Sequence, residues 1–226
     1  NMGRFNPAAL SKPEPAPPPF RKLVIVGGGS AGWMAAMIFA QAMLPRGVEI
    51  TVLESPVVGA IGVGEGSTPW MRGFFDELGI EESEWMPACN ATYKCGIRFD
   101  GWSTRPGFES YFHAFACTID NLTMGAFVHN ADARLRGADV HAHPDRFFVS
   151  AQLAAQDLGP KPDENFPFDI WYGYHFDSVL LGEFLRGQAE KRGVRYQRCH
   201  VAEVNLGTAG DITSVTTEDG EVVEGD

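Results

Sequence analysis

From Lys22 onward, apolar and polar positions follow three different rhythms. "KLVIV" is an unbroken apolar run ending at glycine, "SAGWMAAMIFAQAML" is small and apolar through several helical turns, and "VEITVLES" is a β-branched run closed by an acid. Read as strand, helix and strand, they predict a βαβ unit whose strands are covered on both faces. Farther on, "FDSVLLGEFLRGQAEKRG" is predicted as a helix, with Asp177 placed to cap it and Gly193 to stop it. Lys191 and Arg192 fall in its last turn, where the helix dipole favours cations. The third rhythm is the final stretch, "VRYQRCHVAEVNLGTAGDITSVTTEDGEVVEGD". It predicts a strand, a continuation, and two alternating strands joined at "EDGE", whose Asp-Gly centre suits a tight turn, so a small antiparallel meander follows. Strands interleaved with helices place the chain in the α/β class.

Composition narrows the possibilities. The segment before Arg21 contains "KPEPAPPPF", too rich in proline for helix or sheet, and residues 1–20 read as a disordered tail outside the fold at 21–226. With 226 residues and 44% hydrophobic content, the chain can bury a substantial core. No apolar run reaches the roughly 18 residues a membrane span needs, and no basic-then-apolar leader is present, so a cytoplasmic protein is expected. Four cysteines, Cys89, Cys95, Cys117 and Cys199, form no CxxC pair and read as reduced, mostly buried thiols. A net charge of -11, from 18 Lys+Arg against 29 Asp+Glu, argues against nucleic acid as a partner.

Two glycine-rich loops carry the first candidate chemistry. Gly27, Gly29 and Gly32 in "GGGSAG" stand between the first strand and its helix. In this pattern the first glycine permits the turn, the second lets the backbone approach a pyrophosphate, and the third lets helix and strand pack closely. Glu54, at the end of the second strand, is placed to accept hydrogen bonds from ribose hydroxyls. The fingerprint points to a dinucleotide and leaves FAD and NAD open. The second loop, "VVGAIGVGEGSTPW", brings Gly59, Gly62, Gly64 and Gly66 together ahead of Thr68 as an expected N-cap and Pro69 as the first helical residue; Gly79 ends that helix. Such a loop is either a surface connection or a backbone run against a flat ligand. Two loops of this kind favour a cofactor longer than NAD.

A third feature is the lysine in "ATYKCGIRF". Read as one strand, alternation puts Tyr93, Cys95, Ile97 and Phe99 on one face and Lys94, Gly96, Arg98 and Asp100 on the other, with Gly96 leaving room beside the amine. On a face lining a dry tunnel, desolvation favours a neutral, nucleophilic amine. On a wet face the lysine is inert, and alternation alone favours the wet face. His141 and His143 lack the surrounding carboxylates of a metal site. His175 reads as a hydrogen-bonded residue leading into the helix rather than a base. Trp70, Trp85, Trp102 and Trp171 read as core or substrate-pocket aromatics.

"GGGSAGWMAA", "ITVLES", "IGVGEGSTP", "LGIEESEWM", "TYKCGIRFDGW" and "YHFDSVLLGEFL", in this order, resemble the N-terminal half of the flavin-dependent tryptophan halogenases. The resemblance implies an FAD-binding, glutathione-reductase-type Rossmann-like α/β fold with an antiparallel meander. It implies that reduced FAD from a separate reductase, oxygen and chloride or bromide yield hypohalous acid. That acid is held at a lysine, or converted there to a haloamine, beside an electron-rich arene, typically an indole. Lys94 matches that lysine. Gly62 to Thr68 matches the strap between the flavin and lysine sites. The implied cofactor contacts are Gly27, Gly29, Ser30, Ala31, Gly32, Glu54, Gly64, Glu65, Gly66, Ser67 and Val201, the last beside adenine. A transient flavin reductase, a small aromatic substrate and a possible homodimer are the implied partners. The family's WxWxIP signature, catalytic carboxylate and halide-binding turn are absent from this sequence, so an N-terminal part with a fold incomplete at its C-terminus is expected. Two other readings fit the residues: a flavin monooxygenase that hydroxylates an arene, and a non-catalytic FAD-binding half that needs a second chain.

Overall fold

The structure is a computed structural model and describes residues 19–59, 64–162 and 165–226. The Pro-rich tail, apart from its last two residues, and Gly62 of the second glycine loop lie outside the described residues. The chain divides into two compact units: one ends at Gly59 and resumes over Gln188–Asp226, and the other occupies the sequence between them.

In the first unit, β1 (Lys22–Val26) and β2 (Glu49–Glu54) pair in parallel with Lys22 opposite Glu49, and α1 (Ser30–Met43) is their crossover. The spacing of Trp33, Ala36, Met37 and Ala40 puts them on one side of α1, and all four are buried. Leu44, Pro45 and Arg46 add a 3-10 turn, closed by Gly47 in the left-handed region at φ 80°. β8 (Arg195–Arg198) pairs in parallel with the other edge of β2, giving the order β1-β2-β8. The buried residues of β2, Ile50, Val52 and Leu53, form the centre of this sheet. β9 (Val201–Leu206), β10 (Ile212–Thr217) and β11 (Val222–Glu224) form the expected antiparallel meander, with Gly220 at φ 87° in the "EDGE" turn.

The second unit is built around a three-stranded antiparallel sheet. Its strands are β3 (Gly64–Gly66), β4 (Thr92–Lys94) and the central β7 (Gly173–Asp177). α2 (Trp70–Leu78) and α3 (Glu82–Ala88) contribute Phe75 and Trp85 to its core. The two rings stack with centroids 4.2 Å apart, and Tyr174 of β7 meets Trp85 edge-on at 4.7 Å. β5 (Gly96–Phe99) and β6 (Tyr111–Ala114) form a separate hairpin-like pair, followed by α4 (Asn121–Leu135) and α5 (Val149–Ala155).

Capping expectations have mixed outcomes. Asp177 Oδ1 accepts from the Val179 and Leu180 amides at 2.9 and 3.0 Å and so caps α6 (Ser178–Arg192). Gly193 follows α6 at φ 103°, and Gly79 closes α2 at φ 66°. Thr68, in contrast, does not cap α2. Pro69 holds that position without a side-chain bond, and the Thr68 carbonyl accepts from the Met71 amide at 3.2 Å.

Candidate functional site

The first glycine turn has the geometry its sequence requires. Gly27 takes φ 118°, a conformation L side chains rarely adopt. A Cβ on Gly32 would lie 1.9 Å from the Gly27 carbonyl oxygen, so helix and turn approach to a distance only glycine allows. Around Gly29, by contrast, no heavy atom among the described residues lies within 4 Å of where a Cβ would stand. This open backbone precedes Ser30 and Ala31, the first residues of α1, whose amides begin the helix. A phosphate at a helix N-terminus is stabilised by backbone amides and the helix dipole. The intervening Gly28 is also required: its Cβ would fall 2.5 Å from the Glu54 side chain, which packs directly over it. The Glu54 carbonyl accepts from the Cys199 amide at 2.9 Å, and Ser55 Oγ lies 2.8 Å from His200 Nδ1. Val201, the first residue of β9, therefore starts beside the end of β2. Among the described residues, the open Gly29 backbone, the start of α1 and the Glu54 carboxylate are thus gathered at one end of the parallel strands.

The second loop leads to the lysine by a different route. β7 is the common partner of β3 and β4: Gly66 is opposite His175, Thr92 is also opposite His175, and Lys94 is opposite Gly173. Paired residues share a face, so Gly64, Gly66, Gly173, His175, Thr92 and Lys94 stand on one side, and Tyr93, Tyr174, Phe176 and Glu65 on the other. On the first side the glycines leave a floor from which Lys94 and His175 rise. A Cβ on Gly66 would lie 2.8 Å from Lys94 Nζ and 3.2 Å from His175 Cδ2. The end of the strap is tied to β7 as well: the Ser67 amide donates to the Tyr174 carbonyl at 2.8 Å, and Ser67 Oγ accepts from the Tyr174 amide at 3.0 Å. A Cβ on Gly173 would meet the Ser67 carbonyl oxygen at 2.6 Å.

This geometry corrects two sequence expectations. "TYKCGIRF" is not one strand: it breaks at Cys95, and β4 and β5 belong to different sheets. The room beside Lys94 does not come from Gly96, whose missing side chain is replaced by the Phe112 ring at 2.5 Å and the His113 carbonyl at 2.4 Å. It comes from Gly66. His175, which leads into α6, stands on the same face, with its Nε2 3.5 Å from where a Cβ on Gly66 would be. Partial desolvation, and then the neighbouring Lys94 charge, hold its pKa below the ordinary imidazole value.

The break at Cys95 has a use. Its carbonyl accepts from the Phe115 amide at 2.9 Å, and Phe115 is thereby held with its ring centroid 5.7 Å from Lys94 Nζ. Phe115 is also a wall of an apolar cavity of about 930 Å³ lined by Trp70, Tyr111, Phe127, Trp171 and Tyr172 among others. Trp70 and Trp171 are exposed, which places two of the expected tryptophans at this pocket and Trp85, fully buried, in the core. At the rim, Arg72 lies 3.3 Å from Asp169 and 3.7 Å from Asp76.

Behind the lysine face lies a cluster not anticipated from the sequence. Glu82 Oε1 accepts from the hydroxyls of Tyr172 and Tyr174, both at 2.7 Å, while Oε2 accepts from Tyr93 at 3.2 Å and from Lys161 at 2.8 Å. Burial raises the Glu82 pKa, but the bonds from Lys161, Tyr174 and Tyr172 more than reverse this and lower it to about 2. One carboxylate thus joins β4 to β7 from the face opposite Lys94. His143 is engaged with main chain: Nε2 is 3.0 Å from the Ser110 carbonyl, and Nδ1 accepts from the Asp145 amide. Among the described residues no group of metal-binding side chains is assembled, and no helix is long and apolar enough to cross a membrane.

The glycine turn at the start of α1 and the glycine-floored lysine beside an aromatic pocket can now be set beside known proteins. The family profile "Tryptophan halogenase" matches residues 22–226. The chain is 35% identical to tryptophan 6-halogenase SttH of Streptomyces toxytricini over 91% of its own length and 42% of that protein. It is 34% identical to tryptophan 7-halogenase RebH of Lentzea aerocolonigenes, covering 91% of this chain and 41% of RebH. Among solved structures, Xcc4156, a flavin-dependent halogenase from Xanthomonas campestris, superposes with a TM-score of 0.74 at 32% identity, over 92% of this chain and 41% of Xcc4156. The chain belongs to the tryptophan halogenase family, with the Rossmann-like α/β fold of its flavin-dependent members. It spans about two-fifths of the length of these relatives.

Proposed function

We propose that this chain carries the FAD-binding and lysine-bearing part of a flavin-dependent halogenase acting on an electron-rich arene such as tryptophan or another indole. The observation that carries the reading is the position of Lys94, its ammonium 5.7 Å from the ring of Phe115, which lines the aromatic cavity. Gly27, Gly29, Ser30, Ala31 and Gly32 would hold the pyrophosphate, Glu54 the ribose and Val201 the adenine. Gly64, Glu65, Gly66 and Ser67 are assigned to the flavin-contacting strap. Reduced FAD, delivered by a separate reductase, supplies the electrons with which oxygen and halide become hypohalous acid.

The chain's own residues do the rest. Gly66 leaves the Lys94 amine accessible, so that it can hold the hypohalous acid by hydrogen bonding or take the halogen as a haloamine. The aromatic walls bring the arene to the halogen, so that proximity contributes to rate. The test is Lys94→Ala in the full-length protein, supplied with reduced FAD, oxygen and bromide. Flavin binding is expected to be retained and brominated indole to disappear. Undiminished brominated product, or a hydroxylated product formed without regard to bromide, overturns the reading.

A further inference from the structure

On its face Lys94 has His175 as a neighbour able to exchange hydrogen bonds at a small reagent, with Thr92 two residues back on its own strand. The direction in which Gly66 lacks a side chain is flanked by Lys94 Nζ at 2.8 Å and by His175 Nε2 at 3.5 Å from the Cβ position. The Lys94 ammonium and the edge of the His175 imidazole, Cδ2 at 3.2 Å and Nε2 at 3.5 Å, are therefore the side-chain groups nearest this open direction. β7 sets this arrangement, because its central position pairs His175 with both Gly66 and Thr92. We propose that His175 is a second reagent-holding residue of the Lys94 site, its Nε2 accepting the O–H hydrogen bond of the hypohalous acid whose oxygen Lys94 receives. The inference rests on the halogenase reading of Lys94 and extends it to a residue on another strand.

Hypohalous acid is both donor and acceptor. An ammonium can only donate and a neutral imidazole nitrogen can accept, so Lys94 and His175 together satisfy both ends of HO–X and fix its orientation. In the transfer step the X–O bond breaks as the arene C–X bond forms. The oxygen keeps its own hydrogen, takes a second from the Lys94 ammonium and leaves as water. The ring proton then passes to the neutral amine, restoring the ammonium, and the imidazole is unchanged throughout.

The role requires neutral imidazole. His175 is exposed, but the partial desolvation it undergoes and then the Lys94 charge disfavour imidazolium, so the neutral acceptor is lost as pH falls through the lowered His175 pKa. The other charged groups on these strands are Asp177, whose carboxylate caps α6, and Glu65, which strand alternation places on the opposite face.

The test uses His175→Phe and His175→Gln in the full-length protein, measuring halogenated product per reduced flavin consumed between about pH 5 and 8. Loss of one hydrogen bond predicts about a three- to tenfold fall for His175→Phe. His175→Gln, which offers an amide oxygen that does not titrate, is expected to restore most of the yield and to remove the imidazole's contribution to the acid limb. In parallel, nuclear magnetic resonance follows the His175 imidazole in the wild type and in Lys94→Met, where its titration midpoint is expected to rise. Wild-type yield in His175→Phe, or an unchanged midpoint in Lys94→Met, overturns the assignment of His175 and leaves the Lys94 reading intact. Wild-type yield in Lys94→Met instead removes the reagent from this face and defeats both.

Discussion

Gly66 and Lys94, on the two outer strands of one sheet, meet over the central strand: a Cβ on Gly66 would lie 2.8 Å from Lys94 Nζ. The lysine owes its accessibility to a glycine distant in sequence, in a loop that ends at the same central strand. Gly66 has no unusual backbone angle, so its identity is a matter of space.

Gly66→Ala is therefore expected to fold and to fail at the site. The atom it meets first is the end of a flexible side chain, which can move, so the change in stability should stay within about 1 kcal/mol. The displaced ammonium predicts at least about a tenfold fall in halogenated product, because small misplacement of a reacting group is costly. Thermal melting and product yield measured on the same sample check both halves.

Gly32 and Gly29 predict opposite failures. Alanine at Gly32 meets the Gly27 carbonyl oxygen at 1.9 Å, a backbone atom that cannot swing aside, and should destabilise by about 3 kcal/mol or more. Alanine at Gly29 meets nothing within 4 Å among the described residues and should fold normally, while its methyl obstructs the approach of a pyrophosphate. Melting temperature separates Gly32→Ala from the wild type, and an FAD-binding titration separates Gly29→Ala.

Glu82 predicts an acid transition. Its folded-state pKa of about 2 lies below the ordinary 4.5, so the carboxylate contributes stability above the ordinary value. That contribution falls as pH drops from there through about 2. Glu82→Gln should be less stable than the wild type at neutral pH, and the difference should shrink across that window. Denaturant midpoints at a series of pH values give the comparison; a difference that does not change with pH contradicts the ionised cluster.

Asp177→Ala should cost about 1 kcal/mol, because two amides at the start of α6 lose their acceptor. Asp177→Asn, which keeps an acceptor oxygen, should recover most of it. Chemical denaturation of the three proteins measures the order.

Much of this protein was legible in the chain. The βαβ unit around Gly27, Gly29 and Gly32, the meander around Gly220, and the caps at Gly79, Asp177 and Gly193 all follow from local rules. In each case turn chemistry and hydrophobic period lie within a few residues of one another. The order of "GEGSTP", "TYKCGIRF" and "YHFD" also pointed to the family that the comparisons establish. What local rules could not determine is which segments become neighbours. "YKCGIRF" alternates as one strand would, and only pairing with β7 on one side and β6 on the other breaks it at Cys95. Alternation within "GYHFD" separates His175 from Tyr174 and Phe176, but places it beside Lys94 only after β7 lies between β3 and β4. The same pairing exchanges Gly96 for Gly66 as the source of space at the amine, and gathers Tyr93, Tyr172, Tyr174 and Lys161 around Glu82. Residue types and short spacings determined which chemistry the chain can hold; long-range strand pairing, a property of the whole folded unit, decided which groups share a face.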